Sequence, residues 1–191
     1  VMPYLAKLSF DNPKVLAARD RLVSWDAQMT FDSPEAALFN LFWVRLLEVA
    51  FYDQLPQGVE LSDSDAISDA VYFLLQDPGN PWWDDQRTPD TREQRDVILQ
   101  AAFEQAYAEG VERFGGDFGS WRWGDLHTIY FQHATLGRSG ISLIEKIFNR
   151  GPFPTNGSES VVQKTCWSVV HPYEVFCIPA LRQVIDLSNL S

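Results

Sequence analysis

Three histidines (His127, His133 and His171) and an acidic pair (Asp84 and Asp85) are the side chains of this 191-residue chain best suited to acid–base or metal chemistry. None stands in the spacing such chemistry requires. A zinc site needs clustered ligands such as His-Glu-x-x-His or paired Cys-x-x-Cys, and the histidines have no such company. They are expected to hydrogen-bond within or beside a core. The stretch GPFPTNGSES, 151–160, is rich enough in glycine to suggest a phosphate cradle, which needs Gly-Lys-Ser/Thr opening a helix. Here Gly157 is followed by Ser158 and Glu159, so a phosphate would meet a carboxylate. The next segment, VVQKTCWSVV (161–170), reads as a strand. Neither GRSG (137–140) nor GSES (157–160) supplies the Gly-x-Ser-x-Gly of a nucleophile elbow.

DSDAISD (63–69) begins like a calcium loop but lacks the turn glycine and the closing Glu. Its acidic residues suit a helix N-terminus instead. Asp84 and Asp85, with Trp82, Trp83, Trp121 and Trp123 near them in sequence, could form a carboxylate pair beside sugar-stacking rings. With 26 acidic residues such pairs arise by chance, and rings flanking helices more often close a core. No catalytic, cofactor-binding or metal-ligating residue is therefore assigned within this chain.

Composition narrows the partners. A net charge of −11 with no dense Lys/Arg block argues against nucleic acid, whose affinity comes mainly from cations that release counterions. The most apolar stretch, ALFNLFWVRLLEVAFY (37–52), is too short for a bilayer and carries Asn40, Arg45 and Glu48, so no membrane span is expected. Two cysteines, Cys166 and Cys177, are too few for a disulfide scaffold. They would pair only if they face each other across a hairpin, and the narrow geometric window of a bridge weighs against it.

The elements that must position these side chains are mostly helical. NPKVLAARDRLVSWD opens with Asn12 as cap and Pro13 in the first turn, and SPEAALFNLFWVRLLEVAFYDQL repeats the device with Ser33 and Pro34. In the second, Asn40, Arg45 and Glu48 fall within an arc of about 140° and the rest is apolar, which marks a buried central helix. A third helix is expected over 63–76, stopped by DPGNP. A fourth, within TREQRDVILQAAFEQAYAEGVERFG, places Leu99, Phe103, Ala106, Gly110 and Phe114 on one stripe. After Gly119, LHTIYFQH and the alternating LRQVIDL (181–187) read as strands.

Read together, WRWGDLHTIYFQH (121–133), LIEKIFNRGPFPTNGSESVVQ (143–163) and LRQVIDL resemble, in order and spacing, the late part of the large chain of the penicillin amidase family of N-terminal-nucleophile hydrolases. SWDAQM (24–29) and the alanine-rich helix before Trp121 agree with it, while Ala134 and Thr135 stand where that family usually has proline. The resemblance implies an α+β, mainly α piece. Residues 1–120 would form a helical domain, and 121–191 a strand-rich segment of antiparallel strands that completes an αββα sandwich. It also implies an acylase whose freed N-terminal Ser attacks an amide carbonyl, with its own α-amino group as base.

Val1 cannot be that nucleophile, so the chain is expected to be an excised internal piece, inactive alone. Its partners would be the remainder of the same acylase and a small-molecule amide, either a β-lactam side chain or an acyl-homoserine lactone. The resemblance further implies no cofactor in this chain and a periplasmic or secreted location. Under it, 151–160 is a connection from helices into strands, with Glu159 the one residue with a route towards a catalytic end. The competing expectation is a stand-alone module whose exposed tryptophans, at 82–83 and 121–123, bind a carbohydrate or an aromatic ligand.

Overall fold

The computed structural model describes residues 1–56, 59, 61, 65–159, 161–181, 183, 185 and 188. Its helices are α1 (Met2–Leu5), α2 (Pro13–Val23), α3 (Pro34–Phe51), α4 (Asp65–Gln76), α5 (Arg95–Phe114) and α6 (Ser142–Phe148). Two strands, β1 (Thr128–Phe131) and β2 (Arg150–Pro154), pair antiparallel. The chain is thus α+β and mainly α.

Local chemistry accounts for the helix starts. Asn12 Oδ1 accepts from Lys14 N at 2.9 Å and Ser33 Oγ from Ala36 N at 3.0 Å, so each cap satisfies a first-turn N–H that has no helical partner. Pro13 and Pro34 follow as the first helical residues, where no N–H is needed. For α4 the start falls at Asp65, and residues 63 and 64 of the expected helix lie outside the described residues.

The core is built around α3, which lies on α5 and buries twelve of its eighteen residues. Phe42 and Phe103 meet with ring centroids 5.8 Å apart, and Phe10 lies 5.2 Å from Phe103 on the other side. Burying a ring of this kind stabilises by about 1.5–3 kcal/mol. The expected stripe of α5 faces inward, with Leu99, Phe103 and Ala106 fully buried. Gly110 is there for space, since a Cβ at that position would collide with the Trp121 indole. That indole closes the end of the core against Tyr107, Phe114 and Phe118, and its Nε1 donates to Gly115 O at 2.9 Å. On the polar edge Arg45 and Arg113 both grip the buried Glu109, at 2.7 Å each, which ties α3 to α5.

Two expectations about the last third are corrected. Residues 161–170 form no regular strand; Lys164 and Cys166 make only isolated bridges, to Ser158 and to Cys177. The partner segment is bracketed by Pro172 and Pro179, and Tyr173 sits at φ 76°, so the ladder stops after one rung. The cysteines are not free thiols. Cys166 and Cys177 form a disulfide with Cα atoms 4.9 Å apart, because that single antiparallel rung sets them face to face. Of LRQVIDL, residues 182, 184, 186 and 187 lie outside the described residues. α6 immediately precedes the 151–160 connection.

Candidate functional site

α3 turns Phe39, Asn40 and Trp43 towards Val71, Tyr72 and Leu75 of α4, and the two helices leave a cavity of about 510 Å³ between them. Trp25, Met29 and the turn carrying Ser158 and Glu159 close its sides, with Trp167 behind. The walls are mostly apolar, and the polar atoms that reach them are largely committed to one another. Trp167 Nε1 donates to Ser158 Oγ at 2.9 Å, Ser158 Oγ donates to Asn40 Oδ1 at 3.3 Å, and Asn40 Nδ2 donates to Ala36 O at 2.7 Å. The partners of Ser158 are therefore an indole and an amide, and neither can take its proton as a general base. Such a cavity can hold an apolar group, and the partners of Ser158 do not activate it as a nucleophile.

The turn is fixed by the backbone. Gly157 has φ 96°, and a Cβ there would strike Gln163 O, so this position needs glycine twice over. Its N–H donates to Met29 O at 2.7 Å and its carbonyl accepts from Trp123 Nε1 at 2.9 Å, while Asn156 Oδ1 accepts from Phe31 N at 2.6 Å. The 151–160 stretch is thus a fastening between residues 29–31, Trp123 and β1. Glu159 lies on the cavity wall with Oε1 on Lys164 Nζ at 3.1 Å and with Oε2 buried without a hydrogen-bond partner.

His127 sits under this turn, fully buried and stacked on Trp123 with ring centroids 4.4 Å apart. Tyr173 O, 2.9 Å from Nδ1, can only accept, so Nδ1 carries the proton and Nε2 accepts from Thr165 Oγ1 at 2.7 Å. Burial pushes the imidazole down to about 4, against the carbonyl bond to Tyr173, which favours the charged form. Burial also raises the Tyr173 hydroxyl, and the charge of Glu109 adds to the rise. His127 is a neutral structural bracket. His133 is at the surface, where Nδ1 accepts from the N–H groups of Thr135 and Leu136, and His171 is exposed.

The remaining candidates separate in the same way. Asp85 forms two side-chain bonds with Arg87, at 2.7 and 2.8 Å, which hold its carboxyl below the usual range, whereas a glycosidase acid needs the opposite shift. Asp84 Oδ1 accepts from Glu93 N at 3.1 Å, so the pair organises a loop. Trp83, Trp121 and Trp123 are buried and only Trp82 is part-exposed, at 38%, so the tryptophan platform for a sugar is missing. Residues 63 and 64 of DSDAISD lie outside the described residues. Among the described residues no group of three or more His, Cys, Asp or Glu is placed to hold a metal ion, and no helix is long and apolar enough to cross a membrane.

The first two motifs that carried the resemblance, 121–133 and 143–163, form one physical unit. Trp123 of the first is bonded to Gly157 of the second, and Thr155 N donates to His127 O at 3.0 Å. A family model for penicillin amidase matches residues 1–191. The chain belongs to the penicillin amidase family. It is 30% identical over 189 residues to acyl-homoserine lactone acylase QuiP of Pseudomonas aeruginosa, a match covering 90% of this chain and 22% of that protein. It is 28% identical over 185 residues to QuiP of Pseudomonas syringae pv. syringae, covering 93% of this chain and 22% of the relative. The chain therefore spans about a fifth of the length of the curated relatives it matches.

Within this penicillin amidase chain, the Asn40–Ser158–Trp167 relay went unforeseen in the sequence. The one available signal was an uncharged polar residue, Asn40, on a mostly apolar helix. Its partner is 118 residues away, and no local pattern points there.

Proposed function

We propose that this chain is the C-terminal part of the large chain of a penicillin-amidase-like acylase. The observation that carries the reading is a family match along the whole chain that nevertheless accounts for only 22% of relatives named as acyl-homoserine lactone acylases. The activity of the complete protein is hydrolysis of the amide bond of an acylated substrate, an acyl-homoserine lactone or a β-lactam side chain. The nucleophile is an N-terminal Ser outside residues 1–191, whose own α-amino group takes the hydroxyl proton because its pKa lies near neutrality. Backbone N–H groups outside this chain hold the oxyanion.

The role of the chain itself is architectural. Residues 1–120 supply a helical domain and 121–191 complete the strand-bearing core, with no catalytic, cofactor or metal residue contributed. The remainder of the acylase is its partner. The fastening of Met29 and Phe31 to Gly157 and Asn156 supports this, because it joins helical and strand-bearing parts into one body.

The test is to express the complete protein and residues 1–191 separately and to measure release of free amine from an N-acyl-homoserine lactone. The complete protein is expected to cleave itself into two chains and turn over, and residues 1–191 to give no turnover. A complete protein that neither self-cleaves nor releases amine would contradict the acylase reading. Turnover by residues 1–191 would contradict the architectural one.

A further inference from the structure

The apolar surface is distributed unevenly. Among the described residues, twelve of the twenty exposed large apolar side chains fall within 121–191, although that stretch is the shorter part of the chain. α6 exposes most of its apolar side chains. Leu143 and Ile147, one turn apart on the same face, are 69% and 55% exposed, and Phe148 follows at 42%. Beside α6, Phe148 leans on the His133 ring at 5.5 Å, and His133 N donates to Asn149 Oδ1 at 2.9 Å, which connects the helix to the end of β1. There Phe131 and Phe153 pair across the two strands at 6.2 Å, and both are about half exposed. Every residue of β2 is exposed. Exposed apolar side chains thus extend from α6, through Phe148 beside His133, to the hairpin. Scattered exposed residues are ordinary on a stable surface, but a neighbouring set of this kind marks a contact.

We propose that the face formed by α6 and the β1–β2 hairpin is the seam against which the rest of the same acylase packs, through an apolar surface of its own. This rests on reading the chain as part of a longer protein. One observation favours that occupant over a second copy of the chain. The matched relatives are several times longer than this chain, so most of such a protein lies elsewhere, and a segment of the same protein competes at an effective concentration in the millimolar range.

The test is cysteine accessibility in the complete, processed enzyme. Leu143→Cys, Ile147→Cys and Phe153→Cys are made one at a time, and the rate of maleimide labelling at each site is read by peptide mass mapping, in buffer and in urea. Burial in the seam is expected to slow labelling in buffer by about 100-fold or more relative to urea, because the reagent must then wait for local opening. Native rates within about threefold of those in urea at Leu143→Cys and Ile147→Cys would overturn the proposal. So would protection that disappears on dilution, which would make the occupant a second copy. Turnover of each variant on an N-acyl-homoserine lactone keeps the two readings apart. Fast labelling in an active enzyme removes the seam and leaves the acylase reading standing, and protection in a protein without amidase activity does the reverse.

Discussion

At the scale of single residues, the side chains that looked able to do chemistry hold structure. His127 is the sharpest case, because a histidine kept neutral inside a core makes stability depend on pH. Its folded value of about 4 lies below the ordinary 6.5. Above pH 6.5 both folded and unfolded forms are neutral and the full stability is present. As pH falls from 6.5 towards 4 the unfolded chain takes up a proton that the folded chain refuses, so stability is lost. A gap of this size corresponds to about 3 kcal/mol. In the complete enzyme, the urea midpoint of this region is expected to fall between pH 7.5 and 4.5. His127→Gln is expected to be less stable at pH 7.5 but to lose much less on acidification, and equal losses in both proteins would contradict the assignment.

At the scale of elements, the helices were legible because their signals are local. Asn12–Pro13 and Ser33–Pro34 mark two starts, and the stripe from Leu99 to Phe114 marks a buried face, all within a few turns of chain. The last third was less legible because its geometry comes from distant partners. The β-branched residues of 161–170 suggested a strand, but a strand exists only where a neighbour accepts its ladder, and here the neighbour is interrupted by Pro172 and Pro179. The Cys166–Cys177 bridge and the relay from Asn40 to Trp167 were illegible for the same reason. The seat of Trp121 on α5 gives a test at this scale. Gly110→Ala puts a methyl where the indole lies, and the expected cost is about 1–3 kcal/mol, read as a lowered melting temperature of the complete enzyme. No change would show that Trp121 does not sit on that glycine.

At the scale of the whole molecule, the chain has a well-packed helical core, a mostly apolar cavity whose serine is bonded only to an indole and an amide, and exposed apolar groups on its strand-bearing side. That combination suits a part that builds an enzyme without performing its reaction. The chain belongs to the penicillin amidase family and spans 22% of the length of an acylase relative, and on the reading proposed above the chemistry lies in sequence beyond it. The most direct measurement is therefore to trap the complete enzyme with a serine-directed acylating or sulfonylating reagent and map the modified residue by mass spectrometry. The expected result is one adduct per enzyme, on an N-terminal Ser outside residues 1–191, with Ser158 unmodified and activity lost in proportion. An inactivating adduct on Ser158, or on any other residue of this chain, would contradict the architectural role and place the active centre here.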